Sequence, residues 1–448
     1  MNCVEIKPFF NEDDFIAAFG EKEGFFILDS GNEQLDISNY SFIGLSPCFH
    51  ISYSRKGTIK NNKLLKIPFL EFIRQELAKN KREEGLFPFC SGFMGYLGYD
   101  FGWELDKFRS LYGKKKIYGM PLAKFYYYDT VFIIDKKKMK LFCCFENKKP
   151  DLNKVIGKLS SACEDKTMFS AVKLVSSISR KKYRWIIEKT KEYISKGDIY
   201  QANIAQRFHC DFRGKPSSFY RNLRTLSPAP FGAYFVDKDF AVLSNSPERF
   251  LYRKDSYIET RPIKGTRKRH SDDTIDNSLV KALMESEKDR AEHIMIVDLE
   301  RNDLGKICQK GTVYVKDLMR IESYANVHHM VSIISGKLNE DVDFVDCINA
   351  TFPGGSITGA PKLRSMQIID ELEPVSRGIY CGSIGYIDNS GNFDFNIAIR
   401  TGIIYRNKLY FYVGGGIVAD SDPDEEFEET IIKARSVMTA LGMSKIKD

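Results

Sequence analysis

FNIAIRTGIIYRNKLYFYVGGGIV, spanning Phe395–Val418, is the stretch that sets the fold class. It holds two strand-like runs rich in β-branched and aromatic residues, FNIAIRTGIIY (Phe395–Tyr405) and KLYFYVGGGIV (Lys408–Val418). A further run, GSIGYID (Gly382–Asp388), precedes them, and a helical pattern from Pro423 to about Leu441 follows. Strand follows strand without strict βαβ alternation, which favours an α+β, sheet-based body over a doubly wound one.

The same texture extends upstream. IYQANIAQRF (Ile199–Phe208), FGAYFV (Phe231–Val236) and FAVLSNS (Phe240–Ser246) are strand-like. Arg180–Lys196 reads as an amphipathic helix with Tyr183, Ile186, Ile187, Thr190 and Ile194 on one face and Gly197 as its stop. One long helix is expected from about Thr274 to His293. In the first third, FFILDS (Phe25–Ser30), HISYS (His50–Ser54), KFYYYDTVFIID (Lys124–Asp135) and KLFCCF (Lys140–Phe145) read as strands, with a helix near Pro68–Lys79. The polar, weakly patterned Asn147–Lys173 marks the expected boundary between an amino-terminal region, 1–150, and a second region, 176–448.

Composition narrows the function. With 43% hydrophobic and 28% charged residues, the 448-residue chain is an ordinary globular protein rather than a disordered one. No run reaches the roughly 18 apolar residues of a membrane span, and MNCVEIKPFFNEDDF lacks the order of a signal peptide. Ten cysteines without a CxxC pair argue against a disulfide scaffold or zinc ribbon and for a reducing cytoplasm. The net charge of +7 includes basic clusters at Lys114–Lys116, Lys136–Lys138, Arg180–Arg184 and Arg267–Arg269. No nucleic-acid-reading signature accompanies them, so neither a nucleic-acid nor a membrane partner is expected.

Three constellations carry chemistry. Asp289 and Glu292 share a helix face at i,i+3 spacing, and Glu426 and Glu429 repeat it on the last helix. Brought together, such faces would suit Mg²⁺ held partly through water; alone, each is an ordinary solvated face. VGGGIV (Val413–Val418) and FPGGSITGAPK (Phe352–Lys362) are glycine-rich. The second lacks the Gly-Lys of a nucleotide loop but could cradle a carboxylate beside a helix start. Lys264, in ETRPIKGTRKR, lies near Arg261 and Arg267, cations that favour its neutral, nucleophilic amine. Glu248, in SNSPERF, is a carboxylic acid able to act in proton transfer if buried.

Taken together, SNSPERF, RPIKGT, KDRAEHIMIVDLERNDLG, GSITGAPK, GIYCGSIGY, AIRT, VGGGIVADSDP and EEFEETIIKA follow in order the pattern of the chorismate-utilising enzymes, which this sequence resembles from about Arg180 to Ser444. LDS (Leu28–Ser30), YSFIG (Tyr40–Gly44) and GYLGYD (Gly95–Asp100) resemble the amino-terminal region of the amine-adding members. The resemblance implies two large antiparallel β-sheets packed at a steep angle with helices outside, the front third woven into the same body. Gln201 stands where the water-adding members carry a lysine base, so water addition is disfavoured. PIKGT places Lys264 where anthranilate synthases have PIAGT, as in the branch that makes aminodeoxychorismate. That implies amination of chorismate at C4 through a covalent Lys264 adduct, with Glu248 as acid. The alternative is an anthranilate synthase large subunit.

By the same matching, Mg²⁺ is expected on Glu292 and Glu429, with Asp289 and Glu426 one turn away. Asp289 stands where the family more often has Glu, so its shorter side chain is expected to reach the metal either directly or only through water. Arg400, Tyr380 and the backbone of Gly414, Gly415 and Gly416 are expected to grip the enolpyruvyl carboxylate. Ser356, Thr358, Gly359, His329, Gln201 and Thr266 match further substrate-pocket positions. The chain has no G-x-C-x-G elbow, so ammonia is expected from a separate glutamine amidotransferase (glutaminase) subunit. Ser30 and Pro228 match a front pocket that holds tryptophan in some relatives.

Overall fold

The computed structural model describes residues 1–31, 37, 39–105, 119–162 and 169–443. The basic cluster Lys114–Lys116 lies outside the described residues. Within them the strands form two twelve-stranded sheets, each a path of eleven with one strand beside it: Gly359–Ala360 on Gln201–Arg213 in the first and Tyr314–Ser323 on Val327–Lys337 in the second. The first runs, edge to edge, through Asn2–Ile6, Lys140–Phe145, Thr130–Asp135, Tyr40–Gly44, Phe26–Asp29, Phe231–Val236, Phe240–Ser246, Thr401–Tyr405, Lys408–Ile417, Gln201–Arg213 and Ser170–Ser176. The second runs through Ile263–Lys268, Val327–Lys337, Tyr257–Arg261, Arg249–Lys254, Phe393–Asn396, Ser383–Asp388, Gly92–Leu97, Ala123–Tyr128, Phe49–Ser54, Gly57–Lys60 and Lys63–Leu65. Their ladders are antiparallel, as in Gln201–Arg213 against Lys408–Ile417 and Gly92–Leu97 against Ser383–Asp388. This is the α+β, two-sheet architecture expected from the sequence.

Aromatic rings join the two sheets. Phe26 and Phe235 from the first stack at 4.5 Å, and they meet Tyr126 and Tyr96 of the second at 6.3 and 5.7 Å. Phe42 reaches Tyr386 across the same layer at 5.3 Å. Each such ring removed from water stabilises the fold by roughly 1.5–3 kcal/mol. On its outer face the first sheet packs against helices Glu12–Phe19, Pro216–Leu226 and Pro423–Ala440. The second packs against Phe69–Lys79, Glu287–Gly305 and Phe344–Thr351.

Three expected elements are divided, and two divisions shape the site. The run Phe395–Tyr405 is two strands: Phe393–Asn396 belongs to the second sheet and Thr401–Tyr405 to the first, so the chain changes sheets between them. Lys124–Asp135 changes sheets in the same way at Asp129. Apolar alternation continues through such crossings because both sides remain buried, and periodicity therefore cannot reveal them. The expected helix from Thr274 to His293 is two helices, Asp273–Glu285 and Glu287–Gly305. Ser286 ends the first and caps the second, its hydroxyl accepting from the Asp289 N–H at 3.3 Å. The presumed boundary Asn147–Lys173 contains a helix, Leu152–Ser161, capped by Asp151.

Candidate active site

Chain crossings between the sheets place the reactive groups. Pro247 and Glu248 join Phe240–Ser246 of the first sheet to Arg249–Lys254 of the second. Arg400 ends the crossing from Phe393–Asn396 to Thr401–Tyr405, with a positive φ of 50°. The two crossings hold each other: Ile397 N–H donates to Glu248 O at 3.0 Å, and Asn245 N–H to Arg400 O at 3.1 Å. A crossing strand end cannot use its side chains for sheet packing on both faces, so they are free to line the cleft.

Lys264 enters from strand Ile263–Lys268 and is half-buried. A side chain on Gly416 would put its Cβ 3.0 Å from the Lys264 Nζ and 2.4 Å from Gln201 Nε2, so the glycine leaves the space both occupy. Removal from water lowers the Lys264 pKa, and Lys433 lowers it further, against the opposing fields of Glu292, Glu248 and Glu429. The neutral amine is thereby more accessible than in an ordinary lysine. Gln201 is fully buried, and among the described residues neither atom of its amide has a hydrogen-bond partner. An orphaned amide of this kind invites a polar ligand.

Glu248 is 4% exposed, and burial pushes its carboxyl up to about 7, although Ser356 and the Ile263 N–H hydrogen-bond to it. It can hold a proton near neutral pH. Thr358 secures the adjoining loop by donating to Gly354 O at 2.9 Å. Gly359 sits at φ 146°, where a Cβ would lie 2.1 Å from Gln201 O; no other residue fits.

On the opposite wall, burial raises Glu292, while Asp289 and Glu429 add like charge. Burial also raises Glu426, which accepts from the Ser421 hydroxyl at 2.7 Å and feels Glu429. For Glu429 burial acts upward, but Lys433, 2.6 Å away, wins and holds it low. Asp289 pairs with Arg267 at 2.8 Å. Among the described residues no three His, Cys, Asp or Glu side chains converge as a closed metal cluster. Mg²⁺ typically needs only one or two carboxylates, with water and substrate oxygens completing its shell, and the mutually repelling Glu292 and Glu429 fit that demand.

A third group lies along the cleft. His329 is buried, and burial together with Arg400 pushes its pKa far down, so it is neutral. Its Nε2 lies 3.3 Å from Arg400 Nη2 and its Nδ1 2.9 Å from Thr266 Oγ1. The guanidinium can only donate, so the Nε2 accepts and the Nδ1–H donates to Thr266. Tyr380 is buried, stacked on Tyr412 at 5.1 Å. Gly414 uses its carbonyl to accept from Lys433 at 3.0 Å, and Gly415 faces Glu426.

Residues 23–439 match the family described as chorismate binding enzymes. The chain belongs to that family. It is 46% identical over 271 residues to anthranilate synthase component 1 of Aquifex aeolicus, a match covering 60% of this chain and 55% of that protein. It is 38% identical over 395 residues to aminodeoxychorismate synthase component 1 of Escherichia coli, covering 87% of this chain and 85% of that one. The crystal structure of anthranilate synthase component I from Streptococcus pneumoniae superposes with a TM-score of 0.81 at 31% identity, covering 89% of this chain and 92% of that one.

Within this member of the family, the structure adds residues that motif spacing did not single out. Glu300, 4% exposed, accepts from Gly355 N–H at 2.8 Å, and burial pushes its carboxyl up to about 7. His293 is fully buried, bonded to Ser332 Oγ at 2.6 Å, and driven by burial and Lys264 down to about 4. Lys433 faces both Lys264 and Glu429. The only sequence signal for it was its i,i+4 position after Glu429.

A separate cavity of about 370 Å³ opens between the sheets. Ser30, Tyr40, Phe42, Pro230, Arg249 and Tyr386 are among its lining residues. Ser30 donates to Tyr40 O at 2.7 Å. Pro228 lies outside this lining, its Cα beside Gly31, and Pro230 faces the space instead.

Proposed function

We propose that this chain aminates chorismate at C4, retaining the enolpyruvyl ether, to give 4-amino-4-deoxychorismate for para-aminobenzoate and folate synthesis in the cytoplasm. The observation that carries the reading is the Lys264 amine, depressed in basicity and lodged against Gly416 beside the orphaned Gln201 amide. The amine attacks C2 of chorismate, the allylic double bond shifts, and the C4 hydroxyl leaves with a proton from Glu248. Ammonia then attacks C4, the double bond returns, and Lys264 departs. Two displacements replace one difficult step. Glu248, pushed up to about 7 by burial, is still substantially protonated at neutral pH.

Arg400 is positioned to pair with a substrate carboxylate, its guanidinium aligned by neutral His329. Mg²⁺ on Glu292 and Glu429, with Glu426 and Asp289 one turn away, would neutralise the ring carboxylate when bound. Because Arg267 already pairs with Asp289, that residue contributes through water or through Arg267 itself. Ammonia is taken from a separate glutamine amidotransferase subunit. The front cavity, apolar on Phe42 and Tyr386 and charged on Arg249, would accept an aromatic amino acid such as tryptophan.

A second reading, anthranilate formation, is favoured by the 46% identity to the Aquifex protein. Product analysis separates the two. Purified chain with chorismate, ammonium and Mg²⁺ should yield aminodeoxychorismate and release no pyruvate. Fluorescent anthranilate with stoichiometric pyruvate would replace the first reading with the second.

A further inference from the structure

Cys3, Cys90 and Cys144 are remote in sequence but share one buried spot. Cys3, on the edge strand Asn2–Ile6, lies directly opposite Cys144 of Lys140–Phe145 in the antiparallel ladder. Their sulfurs are 2.6 Å apart, with the Cys144 thiol donating. The Cys90 thiol also hydrogen-bonds with Cys144, and it donates to Phe87 O at 3.4 Å. Directly opposed residues in such ladders have Cα atoms about 4.5–5.5 Å apart, inside the window of about 4.4–6.8 Å that a disulfide spans. Facing is also correct, because opposed side chains project from the same face of the sheet. Cys143, one residue away, projects into the helix-covered core on the other face, where burial pushes its thiol up to about 12.

We propose that Cys3 and Cys144 form a thiol-oxidation site that closes into an intrachain disulfide by exchange with a low-molecular-weight disulfide. The Cys3 thiolate attacks one sulfur of the reagent, forming a mixed disulfide and expelling one thiolate. The Cys144 sulfur then attacks the Cys3 sulfur and expels the second. Two protein thiols and one reagent disulfide become one protein disulfide and two reagent thiols, with protons and electrons balanced.

Reactivity is graded in the required order. Cys3 is half-buried at the sheet edge and reachable, whereas Cys90 and Cys144 are fully buried. The hydrogen bond from Cys144 lowers the Cys3 thiol, against burial, while donating that bond, together with burial, shifts Cys144 upward, so Cys144 reacts second. Exposed Cys48 is shifted the other way, chiefly by burial of its sulfur, and serves as an internal control.

The test uses the full chain, equilibrated with mixtures of 2-hydroxyethyl disulfide and 2-mercaptoethanol, then alkylated, digested and mapped without reduction. The expected result is a Cys3–Cys144 linked peptide pair, with loss of two alkylatable thiols, unchanged by Cys143→Ser. Cys144→Ser should strand the reagent on Cys3 as a stable adduct. Cys3→Ser, at the sheet edge, should fold and show neither adduct nor link at Cys144. Finding Cys3 and Cys144 both alkylated after equilibration with oxidised reagent, or reagent captured at Cys48 alone, would overturn the proposal.

Discussion

Buried carboxylates meet opposite surroundings in two parts of this molecule. Around the cavity between the sheets, Asp29 is bonded to Arg224 at 2.6 Å with Lys136 nearby, and Glu259 to Arg249 at 2.9 Å and Arg261 at 2.5 Å. Burial acts to raise both acids, yet these cations hold both below the ordinary range. In the cleft, Glu248 beside Lys264, and Glu300 within the field of Glu248, are as deeply buried but are pushed up to about 7. The difference is how fully the fold itself neutralises each group. The cavity wall neutralises Asp29 and Glu259 itself, and only Asp394 among its three acids stays raised by burial, despite its bond to Arg249. The cleft is incomplete, leaving a half-protonated acid, a weakened amine and an orphaned amide for a substrate to satisfy.

The largest effect expected from this contrast is at Lys264. On the proposed covalent route, Lys264→Ala should reduce aminodeoxychorismate formation by about 10³-fold or more, since the proposed nucleophile is gone. Lys264→Arg should not restore it, because a guanidinium stays protonated. Intact-mass analysis during turnover without ammonia should show an adduct on the native chain only. An alanine variant with native turnover would end the covalent mechanism.

In the cavity wall the loss should be of stability instead. Asp29→Ala removes the carboxylate nearest Arg224 and leaves Glu12 and Asp13 to face Arg224 and Lys136, at a cost of about 1.5–3 kcal/mol. Urea titration should show the earlier midpoint, while turnover per folded molecule stays near native. Loss of turnover at full stability would erase the distinction between the two regions.

Glu300→Gln probes the cleft through pH. A folded-state pKa near 7, above the ordinary 4.5, gives a contribution fully present below about 4.5 and lost as pH rises through about 7. Removing the titration should flatten the fall in stability between pH 5 and 8 by up to about 3 kcal/mol, read from denaturation midpoints at each pH. A parallel pH profile in the variant would show that Glu300 is not the group responsible. The smallest effect is expected for Gly416→Ala, whose methyl meets first the movable ends of Gln201 and Lys264. Turnover should drop about 10–100-fold with little change in melting temperature, as for a misplacement near 1 Å. A large fall in melting temperature would instead assign Gly416 to the structure.

Much of this arrangement was legible in sequence. Local patterns located about half of the strands and missed the long pair Tyr314–Ser323 and Val327–Lys337, while Tyr183, Ile186, Ile187 and Thr190 are buried on the helix face expected of them. The ordered motifs singled out Lys264 and Glu248, which the structure places within each other's field. Legibility ended where the chain changes sheets. Residues 397–400 continue an apolar pattern while leaving one sheet for the other, and that turn presents Arg400. Ser286 looked like one residue within a helix, yet its hydroxyl supplies the cap that starts the helix carrying Glu292. Glu300 gave no signal because its importance comes from a backbone N–H some fifty positions away, at Gly355. Such partnerships depend on three-dimensional proximity that no short-range pattern encodes.

The interleaving of early and late strands has a kinetic consequence during synthesis. Gly92 lies opposite Asp388, Phe26 opposite Phe235, and Ala202 opposite Ile417. Neither sheet can be completed until nearly the whole chain has left the ribosome, so early strands wait with unpaired edges while the remainder is made. Such long-range pairing slows folding because loop closure must precede the contacts that reward it. At roughly 5–20 residues per second, the wait for the strand opposite Gly92 is about 15–60 s. Chaperone dependence should therefore be set by the last hundred residues, and a ribosome stalled before Ser383 would display the aromatic faces that otherwise form the layer between the sheets.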